Sequence, residues 1–109
     1  MELVNGQYEI GGVNVLELCK KYDTPLYVYD AAVIERQYNR LKNAFGKTKV
    51  DIHYACKALN NISILRFIKN LGGSLDTVSI QEVQLGLKAG FEPQHIMYTP
   101  NCVNIDEIN

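Results

Sequence analysis

Val50-Asp51-Ile52-His53-Tyr54-Ala55-Cys56-Lys57-Ala58 is rich in apolar and β-favouring side chains and closes on a lysine beside an alanine. The run reads as a strand. Ile62 to Leu71 follows, with Ile64, Ile68 and Leu71 on one helical face and Gly72-Gly73 at its end. Ser74 to Ser79 reads as a second strand. Ser79-Ile80-Gln81-Glu82 has the spacing of a capping box, and Ile80, Val83 and Leu87 carry the helical period on towards Gly90. Phe91-Glu92-Pro93 turns the chain into a third strand, Ile96 to Thr99, stopped by Pro100. Asn104 to Ile108 offers an N-cap residue and two first-turn acids, as a further helix start should.

Strands alternating with helices predict an α/β fold with a parallel sheet and right-handed crossovers. A parallel sheet buries both faces, so three strands are few. A small open sheet is one solution. The preferred expectation is the front of a (β/α)8 barrel, which needs about 250 residues when whole.

The N-terminal side reads differently. Tyr8 to Val15 alternates around Gly11-Gly12, the pattern of a hairpin. Val15 to Tyr22 reads as a short helix, Asp23-Thr24-Pro25 as a break, and Leu26 to Tyr29 as a strand. Asp30 stands where an N-cap belongs. Ile34, Tyr38, Leu41 and Phe45 then form one apolar stripe, with Glu35, Arg36, Arg40 and Lys42 towards water and Gly46 at the end. The expected organisation is a segment over residues 1–30 that joins a second, β-rich domain, and the first βα units of the barrel over 31–109.

The chain has 109 residues, with 11 Lys+Arg against 12 Asp+Glu; 47% of residues are hydrophobic and 21% charged. That balance excludes a disordered chain and gives no electrostatic case for nucleic acid or an anionic membrane. No apolar run approaches the roughly 20 residues that span a bilayer. Met1 to Gly6 lacks the features of a secretory signal, so a cytoplasmic location is expected. Cys19, Cys56 and Cys102 are odd in number and far apart, and only His53 and His95 could assist them. The expectation is no metal site and no disulfide framework, but reduced and mostly buried thiols.

In parallel α/β sheets ligands bind at the carboxyl ends of the strands. Those ends are Cys56-Lys57-Ala58, Asp76 to Ser79, and Thr99-Pro100-Asn101. Alternation puts His53, Ala55 and Lys57 on one face and Ile52, Tyr54 and Cys56 on the other. A lysine in a barrel mouth is desolvated, which favours a neutral amine able to condense with an aldehyde. Ala55 and Ala58 leave space beside it for a ring. A lysine that snorkels out at a strand end is the alternative. Asp76 either holds a cationic neighbour or is a turn acid. Ser79 and Glu82 have a capping role, with phosphate or substrate contact as the alternative. His53 is expected to be packed and hydrogen-bonded. Asn101 either caps a helix or lines the mouth. Tyr27, Tyr29, Tyr38 and Tyr98 are expected to pack their rings in cores and keep their hydroxyls at an edge. No G-x-G-x-x-G occurs.

Tyr54-Ala55-Cys56-Lys57-Ala58 resembles the Tyr-Ala-x-Lys-Ala block of the alanine-racemase-like, fold-type-III pyridoxal-phosphate enzymes. Thr24-Pro25-Leu26-Tyr27-Val28-Tyr29-Asp30 is similar to the leading strand of that family's diaminopimelate decarboxylases. Leu75-Asp76-Thr77-Val78-Ser79 with Glu82 resembles their Asp-x-x-Ser-x-x-Glu segment, and Leu87-Lys88-Ala89-Gly90 and the strand ending at Asn101 continue the likeness. It runs from about Thr24 to the end.

The resemblance implies a barrel that binds pyridoxal 5′-phosphate, a β-domain, and a homodimer with shared active sites. It implies that the full-length enzyme decarboxylates meso-2,6-diaminopimelate to L-lysine and CO2. Carried over, Lys57 would hold the cofactor as an imine, Ala55 would line its ring pocket, and Asp76 would stand near both. Cys56, Leu59, Ile80-Gln81, Pro100 and Cys102 depart from the common pattern and loosen the substrate assignment. The alternatives are a decarboxylase of ornithine, arginine or carboxynorspermidine, an amino-acid racemase, or a non-catalytic pyridoxal-phosphate-binding or interaction module. The family's phosphate-binding loops, its glutamate facing the pyridine nitrogen, its ring-stacking histidine and a cysteine from the partner subunit are implied beyond residue 109. The chain is thus expected to be an N-terminal fragment, inactive alone.

Overall fold

The computed structural model describes residues 1–104 and 106. The chain divides into two compact units, one over residues 1–41 and one from residue 42 onward. Among the described residues no helix is long and apolar enough to cross a membrane.

The first unit opens with an antiparallel sheet, β1 (Glu2–Val4), β2 (Gln7–Ile10) and β3 (Val13–Asn14), in that order. The hairpin expected around Gly11-Gly12 is present, both glycines holding the positive φ that a tight turn needs. β1 was not legible. Its three residues are all exposed, so it carries no pattern of its own and is defined by pairing with β2. Helix α1 (Val15–Tyr22) begins where expected, capped by the Asn14 side chain, which accepts from the Leu16 and Glu17 amides. Helix α2 (Ala31–Ala44) is capped by Asp30, whose Oδ1 accepts from Ala32 N at 2.9 Å and Val33 N at 3.3 Å.

Two expectations fail in this stretch. Leu26 to Tyr29 forms no strand; a strand needs a hydrogen-bonded neighbour, and none lies beside it among the described residues. Tyr27 is 86% exposed, and Leu26, Val28 and Tyr29 are exposed with it. The apolar stripe of α2 is only partly covered: Tyr38 is buried, whereas Leu41 and Phe45 are exposed.

The second unit holds a parallel sheet of β4 (His53–Ala55), β5 (Ser74–Thr77) and β6 (Ile96–Tyr98), in sequence order. Helix α3 (Ile62–Asn70) links β4 to β5, and α4 (Ile80–Ala89) links β5 to β6. The α/β class and the parallel pairing are as expected. Asn61 caps α3 through its side chain, and Gly90, at φ 96°, ends α4 in the left-handed conformation. Tyr54, Leu75 and Ile96 pair across the sheet as one row facing the helices. They pack with Leu65, Cys56, Ala89 and Phe91 into the core, where Leu65 and Leu75 are fully buried.

The helix faces differ from the expected ones. In α3 the predicted Ile68 is buried, but the centre of the core is Leu65, and Ile64 and Leu71 are only half-buried. In α4 the buried residues are Gly86 and Ala89, while Ile80 and Leu87 are exposed. Small residues win there because the helix lies close on the sheet: a Cβ at Gly86 would sit 2.7 Å from Leu75 Cδ2 and 3.1 Å from Ile96 Cδ1. The cysteines also differ, for Cys56 is buried, Cys19 half-buried and Cys102 exposed. The helix start expected over 104–108 rests on Ile105, Glu107 and Ile108, which lie outside the described residues.

Candidate active site

The carboxyl ends of β4 and β5 bring the three predicted site residues to one end of the sheet. Ala55 is the last residue of β4 and pairs in register with Asp76 of β5, so both side chains project from the same face. Lys57 stands two residues beyond Ala55. It is not on the strand, however. β4 ends at Ala55, shorter than the expected strand to Ala58, and Cys56–Ala58 forms a 3-10 turn.

That turn is held at both ends. Cys56 is fully buried in the core, and Leu59 N donates to the Cys56 carbonyl at 3.2 Å. The Tyr54 hydroxyl donates to the Leu59 carbonyl at 3.1 Å. With Tyr54 and Cys56 anchored on the helix side, the backbone of Lys57 is fixed while its side chain is exposed. The expected shelter for this amine is therefore not found. The physical reason is the open face of the sheet: Met97, which pairs with Asp76, is 48% exposed, and Thr99 beyond it is exposed as well.

Asp76 is half-buried and is held from the third strand. Thr99 Oγ1 donates to Asp76 Oδ1 at 2.6 Å, and Thr99 N donates to the Thr77 carbonyl at 2.8 Å, which carries the parallel ladder one residue past β6. The hydroxyl also lies 3.3 Å from the Thr77 carbonyl. Sequence reasoning placed Thr99 at a strand end but gave it no partner. The shared face of Met97 and Thr99 was readable from strand alternation, but the register that sets Met97 opposite Asp76 was not.

Ser79 and Glu82 act as helix-capping residues. Ser79 Oγ accepts from Glu82 N at 3.3 Å. Glu82 Oε2 reaches past Ser79 to accept from Val78 N at 2.8 Å, so the box closes one residue earlier than in the usual reciprocal pattern. Burial pushes the Cys56 thiol pKa up, and the negative charge of Glu82 adds to the effect. His53 is half-buried, but its Nδ1 finds no hydrogen-bond partner among the described residues, contrary to the expected bonded histidine. The Tyr98 hydroxyl is likewise buried without a partner rather than at an edge. Asn101 is exposed.

A separate cleft, lined by Lys69, Gly72, Gly73, Phe91, Glu92 and His95, lies at the opposite, amino-terminal ends of β5 and β6. Its His95 Nδ1 is 3.2 Å from Ser74 Oγ. It does not include the residues singled out for chemistry. Among the described residues no group of three or more His, Cys, Asp or Glu side chains is placed to hold a metal ion.

The carboxyl end of the sheet collects groups of one chemical kind. A primary amine on a fixed turn, a methyl-sized neighbour and a tethered carboxylate suit an aldehyde carried on a flat ring. Residues 31–109 match the family described as pyridoxal-dependent decarboxylase, pyridoxal binding domain. A diaminopimelate decarboxylase of Methanothermobacter thermautotrophicus is 41% identical over 105 residues, which is 94% of this chain and 24% of the relative. One from Bacillus subtilis is 38% identical over 106 residues, 95% of this chain and 24% of the relative. The crystal structure of diaminopimelate decarboxylase from M. jannaschii in co-complex with L-lysine superposes with a TM-score of 0.88 at 32% identity, covering 98% of this chain and 26% of that one. The chain thus spans about a quarter of the length of the curated relatives it matches.

Proposed function

The chain belongs to the pyridoxal-dependent decarboxylases, and from that premise we propose that the protein carrying it converts meso-2,6-diaminopimelate to L-lysine and CO2. The observation that carries this reading is that Ala55 and Asp76 pair at the carboxyl end of one parallel sheet and the turn bearing Lys57 follows directly. Relatives named diaminopimelate decarboxylase support the substrate, as does a related structure that holds L-lysine, the product of such a reaction.

Bound pyridoxal phosphate supplies an electron sink for the pair left behind when the carboxylate departs. This chain's residues supply the rest of the site. Lys57 would hold the aldehyde of the cofactor through its Nζ, and its free amine would supply a base at the site. Asp76 would supply a negative charge on the adjacent strand end, one that favours protonated nitrogen at the site. Ala55 keeps the strand end narrow, so a planar ring can lie against it.

Residues 31–109 are read as the first βα units of a (β/α)8 barrel, and residues 1–30 as a segment of a second, β-rich domain. Two features support this. The sheet face bearing Ala55, Asp76 and Met97 is open, as the inner face of an incomplete barrel would be. Leu26 to Tyr29 is apolar and exposed, with no strand beside it among the described residues. Further strands would shelter the Lys57 amine, and a homodimer with shared sites would complete the pocket in the cytoplasm. The 109 residues alone are expected to be inactive.

The test is to supply the complete open reading frame with pyridoxal phosphate and meso-2,6-diaminopimelate and to measure CO2. Release that Lys57→Ala abolishes supports the reading. Cofactor binding without CO2 from this substrate moves the activity to another basic amino acid. No cofactor binding sinks the enzyme reading altogether.

A further inference from the structure

We propose that Thr99 is a positioning residue for the cofactor lysine, acting through Asp76. The inference rests on the reading of Lys57 as that lysine. Asp76 sits half-exposed at a strand tip, where a carboxylate on two free torsions would sample several directions. Thr99 removes that freedom. Its own backbone is fixed, because its N–H continues the ladder to the Thr77 carbonyl at 2.8 Å. Its hydroxyl then donates to Asp76 Oδ1 at 2.6 Å, a short charge-assisted bond. Among the described residues this is the one hydrogen bond to the Asp76 side chain.

The geometry has a direct chemical consequence. Tying Oδ1 to the third strand leaves Oδ2 to meet a cation, and the neighbouring strand end across the sheet is the one that bears Ala55 and the Lys57 turn. The three strands thus divide the work: β4 leads to the amine, β5 carries its counter-charge, and the residue after β6 aims that charge. A threonine suits the task, since its branched Cβ restricts χ1 in extended backbone.

The experiment titrates the complete protein with pyridoxal 5′-phosphate and follows the absorbance and induced circular dichroism of the lysine-bound cofactor. Thr99→Val keeps the shape and removes the donor. It should weaken cofactor binding about tenfold, the usual scale for losing a hydrogen bond to a charged group, and change the dichroism. Thr99→Ser should restore both to within about twofold, since it returns the hydroxyl. The thermal midpoint of the cofactor-free protein should stay within about 3 °C, because the bond is at an exposed site. In an Asp76→Ala background, Thr99→Val should cost nothing further.

Equal binding by Thr99→Val and wild type overturns the proposal while leaving Lys57 as the cofactor lysine. An equal loss in the Asp76→Ala background also overturns it. A wild-type protein that shows no lysine-bound absorbance overturns the functional reading, and the role of Thr99 falls with it.

Discussion

The Tyr54 hydroxyl donates a 3.1 Å hydrogen bond to the Leu59 carbonyl and so closes the turn that carries Lys57. The ring of Tyr54 packs on the core while its oxygen reaches across the turn. One side chain therefore links the buried face of the sheet to the backbone around the amine. Tyr54→Phe keeps the ring and leaves the carbonyl without this donor. The expected cost is about 1 kcal/mol of stability. Denaturant unfolding checks it, and faster hydrogen exchange at the Leu59 amide, which bonds to Cys56, would locate the loosening at the turn.

Gly86 tests how closely α4 lies on the sheet. Its replacement by alanine puts a methyl 2.7 Å from Leu75 Cδ2, and Leu75 is fully buried with little room to retreat. Overpacking costs about 1–3 kcal/mol, against a helix-propensity gain of up to about 1 kcal/mol for Ala over Gly. Net destabilisation of about 1 kcal/mol is expected. Combining Gly86→Ala with Leu75→Val, which shortens the opposing side chain, should cost less than the two single changes added together. Denaturant midpoints of the four proteins decide.

What the sequence made legible follows from range. Asp30, Ser79 and the Gly11-Gly12 hairpin act over a few residues, and each was readable from local chemistry. The alternation that separated His53 and Ala55 from Tyr54 and Cys56 was readable for the same reason. The predicted stripe of α4 failed because Gly86 faces the sheet through a tertiary approach that no periodicity records. Leu26 to Tyr29 has the composition of a strand, but a ladder needs a partner. At the site, Asp76 was legible as a strand-end residue and Ala55 as a small residue on the strand face shared with His53. The hydroxyl of Thr99 was not assigned, because its bond spans two strands. The shelter of Lys57 was overestimated, since alternation was extended two residues beyond the end of the strand.

Cys56 gives a pH prediction. Burial, with a contribution from the Glu82 charge, raises its thiol pKa above the ordinary value of 9.0. The folded thiol keeps its proton where the unfolded one loses it, so unfolding releases a proton above that value. This contribution to stability is fully present below pH 9.0 and is lost as pH rises through the folded value. Cys56→Ala should flatten that alkaline decline. At neutral pH a thiol reagent should label exposed Cys102 first and Cys56 only after unfolding, which peptide mass mapping can follow.

The capping pair at α4 should behave as a unit. Ser79→Ala removes the acceptor for Glu82 N, and Glu82→Ala strips the carboxylate from Val78 N. Each should cost about 1 kcal/mol. The double variant should lose less than the sum, because either change alone loosens the same helix start. Unfolding curves of the single and double variants measure the coupling.

The central claim is that Lys57 is the covalent attachment point for pyridoxal phosphate. Borohydride reduction of the complete protein after incubation with the cofactor, followed by peptide mass mapping, tests it most directly. The account predicts the pyridoxyl mass on the peptide containing Lys57 and its disappearance in Lys57→Ala. Modification at a different lysine, or none at all, would contradict it.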